Sequence, residues 1–124
     1  SLLVAEDDPV NALIARKCLE SLGIAVTLVS DGEAASEALA VQEFDAALLD
    51  QRMPKRDGPD VARKAREAGL TLPLIALTAN ASESDRKLCL GAGMDEFLSK
   101  PLDPDRLTAV LVNLCGREKR ASMG

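Results

Sequence analysis

Four short apolar runs, each followed at once by polar or charged side chains, constrain this chain more than any other feature. These runs and the residues that follow them are Leu2-Leu3-Val4-Ala5 before Glu6-Asp7-Asp8, Ala46-Ala47-Leu48-Leu49 before Asp50, Leu74-Ile75-Ala76-Leu77 before Thr78, and Phe97-Leu98-Ser99 before Lys100-Pro101. Short buried runs that alternate with helical stretches indicate a parallel sheet, whose strands all end on the same side. The pattern therefore gathers carboxylates, a hydroxyl and an ammonium group in one crevice, a set that suits a hard divalent cation and a phosphoryl group.

The hydrophobic periodicity predicts five strand–helix units in one domain. The predicted strands are 2–5, 25–29, 46–49, 74–77 and 96–99, and the predicted helices are 9–22, 33–42, 59–68, 83–91 and 104–115. This alternation with short loops favours an α/β fold, a doubly wound five-stranded parallel sheet of the (βα)5 flavodoxin-like type. We choose the strand order 2-1-3-4-5 because it places strands 1 and 3 side by side at the switch point. We expect residues 1–116 to form the domain and residues 117–124 to form a polar tail.

Local signals mark the helix ends. Asp8 is the predicted N-cap of the first helix, Pro9 is its first residue, and Gly23 follows its end. Ser82 or Ser84 is the predicted cap of the fourth helix.

Apolar residues at helical spacing occur in three of the predicted helices. They are Val10, Leu13, Ile14 and Leu22 in the first helix, Ala35, Ala38, Leu39 and Val41 in the second, where we expect them to point inward, and Leu107, Val110, Leu111 and Leu114 in the fifth.

Composition excludes several function classes. The net charge of −5 argues against a nucleic-acid-binding surface, which needs a basic face. No apolar run approaches the roughly 20 residues that span a bilayer, and no signal peptide is visible. We therefore expect a cytoplasmic domain without direct membrane contact. We also expect it to be an excised piece of a longer chain. This expectation is compatible with a membrane anchor elsewhere in that longer chain.

The few chemically reactive residue types narrow the function further. The chain has three widely spaced cysteines, a number that fits reduced cytosolic thiols, and it has no histidine. Without histidine, a Ser-His-Asp hydrolase and a histidine phosphodonor within this chain are excluded, and a structural zinc site is disfavoured.

The predicted crevice contains three carboxylates that would repel one another. They belong to Glu6 and Asp7 after the first strand and to Asp50 after the third. A divalent cation bound by oxygen ligands, Mg²⁺ or alternatively Mn²⁺, would compensate this charge. Acidic residues before a helix also serve its N-terminus, which is the alternative for Glu6 and Asp7. Asp50 is harder to explain as a cap because it follows a buried run.

Taken together, these groups form a predicted phosphoryl site. Asp50 would be the nucleophile that forms an aspartyl phosphate. Lys100 would contribute a positive charge to one phosphoryl oxygen, and the hydroxyl of Thr78 would hydrogen-bond another. Taken singly, Lys100 is equally a solvated lysine before a loop, and Thr78 a hydroxyl that caps a turn.

Four segments in order carry a resemblance to a known family. They are Leu3-Val4-Ala5-Glu6-Asp7-Asp8-Pro9-Val10-Asn11, Leu49-Asp50-Gln51-Arg52-Met53-Pro54 with Asp57-Gly58, Leu77-Thr78-Ala79-Asn80-Ala81, and Gly93-Met94-Asp95-Glu96-Phe97-Leu98-Ser99-Lys100-Pro101. With these segments the chain resembles a response-regulator receiver domain of two-component signalling across essentially its whole length. Glu6 stands where aspartate is common in the family.

The resemblance implies a phosphoacceptor and its metal site. It implies that Asp50 accepts a phosphoryl group from a histidine kinase or a histidine phosphotransfer domain. It also implies that Mg²⁺ is held by Glu6, Asp7, Asp50 and the backbone carbonyl of Arg52, and that the Lys100–Pro101 bond is cis.

The resemblance further implies a conformational switch. In such domains phosphorylation draws a threonine inward, and an aromatic ring fills the vacated space. Thr78 and Phe97 match those positions, and Phe97 is alternatively ordinary core. The face formed by helix 4, strand 5 and helix 5 would report the change to a partner and is a candidate homodimer face. Helix 1 borders the site and would be the docking face for the phosphodonor.

Several alternatives stay open at this point. Asn11 and Ala79-Asn80-Ala81 resemble receivers fused to hybrid sensor histidine kinases, and a free-standing response regulator, or a receiver cut from an output domain, is the second interpretation. A haloacid-dehalogenase-like phosphatase would need an acid two residues after the nucleophile, where this chain has Arg52. An FMN-binding flavodoxin would need a phosphate-cradling loop in place of Glu6-Asp7-Asp8, and a docking module without phosphorylation would not need the reactive residues.

Overall fold

Alternating strands and helices fill the chain in the computed structural model, which describes residues 1–51, 57–78, 82–99, 103 and 105–112. The strands are β1 (Leu2–Ala5), β2 (Val26–Val29), β3 (Ala46–Asp50), β4 (Leu74–Thr78) and β5 (Glu96–Ser99). The helices are α1 (Pro9–Ser21), α2 (Gly32–Val41), α3 (Gly58–Glu67) and α4 (Glu83–Gly91), and residues 105–112 are the described part of a fifth helix, α5. Leu114 and the predicted tail lie outside the described residues.

The five strands form one parallel sheet in the order β2-β1-β3-β4-β5. This confirms the predicted fold class and strand order. In the register, Ala5 pairs with Leu49 between β1 and β3, and Asp50 pairs with Leu77 between β3 and β4. The carboxyl ends of these three central strands therefore reach the same edge at nearly the same level.

The sheet is buried on both faces, and the alternation of side chains divides the core into two clusters. Leu3, Ala5 and Leu49 point to the face covered by α2, α3 and α4, where they pack with helix residues such as Val61. Their sequence neighbours, such as Val4, point to the other face, covered by α1 and α5. Since a slip of one residue would exchange these two faces, the packing determines the register.

Helix α1 uses a different face from the one that its large apolar residues indicate. Its buried residues are Ala12, Ala15 and Leu19. Val10 is 65% exposed and Leu13 is 51% exposed. The small alanines let the helix lie close to the sheet, so the larger aliphatic residues remain on the solvent side.

In α2 one of the four residues predicted to point inward does not. Ala35 and Leu39 are buried and Ala38 packs against the core, but Val41 is 84% exposed at the end of the helix. In α5, Leu107 and Leu111 are buried and Val110 packs against them, as the sequence predicts.

The predicted caps of α1 and α4 are confirmed. The Asp8 carboxylate accepts from the backbone N–H of Val10 at 2.9 Å, and the Ser82 hydroxyl accepts from that of Asp85 at 3.2 Å. Gly23 has φ of 79°, a conformation that glycine adopts without steric cost, and it turns the chain from α1 toward β2.

Arg66, near the end of α3, joins three segments at the edge of the sheet where β4 and β5 begin, opposite the edge that carries the predicted site. Its guanidinium donates to the carbonyl oxygens of Gly93, Leu70 and Leu72, each at 2.9 Å, and to the Asp95 carboxylate at 2.8 Å. A planar guanidinium can satisfy this many acceptors at once, which an ammonium group cannot. The contacts fix the loops that lead into β4 and β5.

Within the described residues, no helix is long and apolar enough to cross a bilayer.

Helix α4 has one buried residue, Cys89, which is fully enclosed under the helix. Burial raises the pKa of its thiol above the ordinary 9.0, and the negative charge of Asp85 adds to the effect. The folded protein therefore keeps the Cys89 proton to a higher pH than the unfolded chain does. The resulting contribution to stability is present below the ordinary pKa and is lost as pH rises through the folded pKa.

We expect the difference in stability between the wild type and Cys89→Ala to narrow at alkaline pH. Near pH 7 the variant should be less stable by about 1 kcal/mol because of the cavity that it leaves. Above about pH 9 the wild type should lose more stability than the variant, because only its unfolded state can ionise this thiol. Urea unfolding from pH 7 to pH 10 measures the difference, and a constant gap would contradict the expectation.

Candidate functional site

The ends of β1 and β3 bring two carboxylates together. Because Ala5 pairs with Leu49, the next residues along the two strands, Glu6 and Asp50, lie side by side. Glu6 is held in place by its backbone N–H, which donates to the carbonyl of Val29 at 3.1 Å. Its side chain accepts from the backbone N–H of Asp8, also at 3.1 Å.

Glu6, Asp7 and Asp50 form one acidic cluster. Each can offer a carboxylate oxygen such that all three oxygens lie within 4.8 Å of one another. Glu6 and Asp50 are buried, whereas Asp7 is exposed. Hard oxygen ligands at this spacing suit Mg²⁺ or Mn²⁺, and one exposed ligand leaves an open route for the ion. The donor set therefore fits the metal predicted from the sequence.

Thr78 lies at the end of β4, and its side chain is buried. Its hydroxyl donates to the side-chain oxygen of Gln51 at 2.6 Å. The amide nitrogen of Gln51 in turn donates to the Asp85 carboxylate, in the first turn of α4, at 2.9 Å. Gln51 therefore links the strand end to α4. Sequence patterns assign Gln51 no role, because a polar residue directly after a strand gives no sign that it will be buried.

Gly58, the first residue of α3, lies directly against the backbone at the end of β3. Its backbone N–H donates to the carbonyl of Gln51 at 3.1 Å, which sets the start of α3 against the end of β3. A Cβ atom at this position would lie 2.5 Å from the backbone oxygen of Asp50. Only glycine allows this approach without displacing the backbone that carries Asp50.

Phe97 lies on β5 and is partly buried against the core cluster on the α2–α3–α4 side. The Arg86 guanidinium of α4 stands 6.0 Å from the centre of its ring, at the outer limit of a cation–π contact. Its role as a switch residue stays a prediction.

Three predicted site residues lie outside the described residues: Arg52, Lys100 and Pro101. Ser99, which precedes Lys100, pairs with Thr78 in the sheet.

Comparison with known proteins identifies the family. A family model described as the response regulator receiver domain matches residues 2–112, nearly the whole chain. The chain belongs to this family. The resemblance noted in the sequence is therefore confirmed at the level of the family, and receiver domains accept phosphoryl groups from histidine kinases or histidine phosphotransfer domains.

The receiver domain has relatives in two kinds of longer protein. It is 36% identical over 119 residues to the sensor histidine kinase RcsC of Salmonella typhi. This match covers 96% of this chain but only 13% of the kinase. It is 42% identical over 108 residues to the response regulator protein PmrA of Pseudomonas aeruginosa, covering 87% of this chain and 49% of the relative. The chain thus spans less than two thirds of these relatives.

A solved structure of a receiver domain is similar over nearly its whole length. The receiver domain of the sensor histidine kinase PA1611 from Pseudomonas aeruginosa PAO1 is 44% identical, with a TM-score of 0.86. The match covers 93% of this chain and 96% of that one. That structure has a magnesium ion coordinated in its active-site cleft.

We expect Gly58→Ala to lower the free energy of unfolding by about 2 kcal/mol, because the added methyl group collides with backbone that cannot rotate away. Gly91→Ala is the matched control: it is also helical, and a Cβ there meets nothing within 4 Å. The control should be neutral or slightly stabilising, since alanine favours a helix. Thermal or urea unfolding compares them, and equal stabilities of the two variants would rule out the steric role of Gly58.

Proposed function

We propose that this receiver domain accepts a phosphoryl group on Asp50 from a histidine of a partner protein, with Mg²⁺ held by Glu6, Asp7 and Asp50. The observation that carries the proposal is the approach of these three carboxylates to within 4.8 Å at the strand ends. The magnesium ion in the cleft of the PA1611 receiver supports the choice of metal. Mn²⁺ is an alternative ion with the same ligand preference.

In the proposed reaction, an oxygen of the Asp50 carboxylate attacks the phosphorus of a phosphohistidine. A P–O bond forms as the P–N bond to the donor breaks, and the electron pair of the broken bond stays with the imidazole nitrogen. Mg²⁺, when bound, would neutralise part of the negative charge on the phosphoryl oxygens. Burial of Asp50 between strand ends keeps its carboxylate oriented and limits access of water to the acyl phosphate.

Five further roles enter the proposal from the sequence and the family. Lys100 would supply an ammonium group to the phosphoryl oxygens, the backbone carbonyl of Arg52 would be a metal ligand, and a cis bond would precede Pro101. The hydroxyl of Thr78 would donate to a phosphoryl oxygen, and the ring of Phe97 would follow its movement.

The exposed apolar stripe of α1 supports the predicted docking face for the histidine partner. Val10, Leu13 and Ile14 lie at i, i+3 and i+4, and all three are exposed. The stripe begins at Val10, three residues after Asp7 of the acidic cluster. An apolar helical surface on a phosphodonor could bury it and bring its phosphohistidine to Asp50.

We further propose that the domain belongs to a hybrid sensor histidine kinase, as the match to RcsC supports, whereas the match to PmrA supports the alternative of a response regulator with an output domain. Within the described residues Cys18 and Cys89 are free thiols, which fits a cytoplasmic location.

A homodimer through the α4–β5–α5 face is also proposed, and sedimentation with and without beryllofluoride would reveal or exclude it.

The central proposal predicts a metal-dependent adduct on Asp50. Incubation with acetyl phosphate and Mg²⁺ should add one phosphoryl group to the protein, detected by intact mass, and chelation of the metal should abolish the addition. Asp50→Ala should not be modified, whereas Asp60→Asn, a half-exposed acid on α3 outside the cluster, should behave like the wild type. Modification that persists in Asp50→Ala would refute the assignment, and rapid turnover of many phosphoesters would favour the phosphatase alternative.

The docking face predicts a selective defect in Leu13→Asp. The substitution places a charge on an exposed position and should slow transfer from a phosphorylated histidine phosphotransfer domain at least tenfold relative to modification by acetyl phosphate. Val41→Asp, an equally drastic change at an exposed position of α2 on the other side of the sheet, should leave this ratio unchanged. A ratio that is the same in both variants would show that the partner docks elsewhere.

A further inference from the structure

Gln51 is buried, and hydrogen bonds of its backbone fix its position. Its backbone N–H donates to the carbonyl of Leu77 on β4 at 2.7 Å, and its carbonyl accepts from the N–H of Gly58. Only 6% of Gln51 is exposed, and Thr78, its hydrogen-bond partner, is 1% exposed. Gln51 is therefore an ordered part of the site.

Asp85 determines the direction of the hydrogen bonds through Gln51. An ionised carboxylate only accepts hydrogen bonds, so the amide nitrogen of Gln51 must face Asp85. The amide oxygen must then face Thr78, and the Thr78 hydroxyl must be the donor of that bond. A change at α4 that turned the amide around would therefore change what Thr78 donates to.

The Thr78 hydroxyl has a single proton, and two acceptors compete for it. One is the oxygen of Gln51, at 2.6 Å. The other, if the proposed function is correct, is an oxygen of the phosphoryl group on Asp50. The hydroxyl cannot donate fully to both acceptors. When Thr78 donates to the phosphoryl group, its hydrogen bond to Gln51 must therefore weaken or break.

The same bonds secure the first turn of α4. The Asp85 carboxylate accepts from Gln51 with one oxygen and from the Ser82 hydroxyl, at 2.9 Å, with the other. Of the nine residues of α4, Cys89 is the one that is buried. The beginning of the helix is thus held by polar contacts more than by apolar packing. Without the bond from Thr78, the Gln51 amide is less firmly oriented toward Asp85, and weakening the Gln51–Asp85 bond loosens the first turn.

We propose that Gln51 is a positioning residue that holds Thr78 in its unphosphorylated arrangement, and that phosphorylation of Asp50 releases the first turn of α4 by drawing the Thr78 proton away from Gln51. This inference rests on the proposed function and adds its regulation: α4 responds because Thr78, Gln51 and Asp85 share one chain of hydrogen bonds. Binding of beryllofluoride with Mg²⁺, which mimics the phosphoryl group on a carboxylate, is the probe.

The first test is the affinity for beryllofluoride at saturating Mg²⁺. Gln51→Met keeps the length of the side chain and removes its strong hydrogen-bonding groups, so Thr78 loses the competing acceptor. We expect binding about tenfold tighter, the ratio that corresponds to one hydrogen bond of ~1.4 kcal/mol. Gln42→Met, the same change at the exposed residue that ends α2, should bind as the wild type does.

A double-mutant cycle separates this positioning role from a merely structural one. In a Thr78→Val background no hydroxyl proton remains to be contested, so Gln51→Met should no longer change the affinity. An effect of Gln51→Met that persists in this background would overturn the inference.

Two measurements on the wild type need no variant that has to fold. The side-chain amide resonances of Gln51 should shift when beryllofluoride binds, and hydrogen exchange at the Asp85 backbone amide, now bonded to the Ser82 hydroxyl, should become faster. In Gln51→Met that exchange should be fast before the ligand is added.

The outcomes distinguish the two proposals. A wild-type protein that forms no metal-dependent beryllofluoride complex overturns the proposed function, and this inference with it. A wild-type protein that forms the complex, with unchanged Gln51 resonances or with equal affinity in Gln51→Met, overturns the inference alone.

Discussion

The parallel register of β1, β3 and β4 is the constraint on which the rest of the structure depends. It places Glu6 beside Asp50 and brings Thr78 to the same edge. Buried carboxylates at this distance repel one another, and neither sequence neighbours nor local propensity would hold them there. The apolar core does so, because a slip of one residue would turn each strand's core face to the wrong cluster. The chemistry of the site is therefore maintained by aliphatic packing beneath it.

Two groups of polar residues meet at that edge and have different roles. The carboxylates of Glu6, Asp7 and Asp50 supply hard ligands, and the exposure of Asp7 keeps the cluster accessible to an ion. Thr78 and Gln51 instead form a buried chain that leads from the strand end to α4. Gly58 allows α3 to begin against the backbone of Asp50, close to both groups. Thr78, at the same edge as Asp50, is thus two hydrogen bonds away from α4, a helix with a single buried residue.

Periodicity predicted the element order, and local signals predicted the caps of α1 and α4. The strand order was chosen because it places strands 1 and 3 side by side. The large apolar residues of α1, however, indicated the wrong face of that helix. Ala12, Ala15 and Leu19 follow helical spacing as well as the larger residues Val10 and Leu13 do, so spacing alone cannot rank the two stripes. The sheet decides between them, because a close helix–sheet approach favours small side chains. For the site, the acidic cluster was predictable because its members lie at or just after the ends of β1 and β3. Lys100, Pro101 and Arg52 remain sequence predictions.

By itself, the sequence determined the alternation of strands and helices, the kinds of reactive group and the family, since all of these are written in local patterns and short motifs. Only the tertiary structure decided that Gln51 is buried between Thr78 and Asp85, and which side of α1 faces solvent. The physical reason is that these contacts join residues 27 and 34 positions apart. Their existence depends on how α3 and α4 lie against the sheet, which no local pattern of side chains encodes.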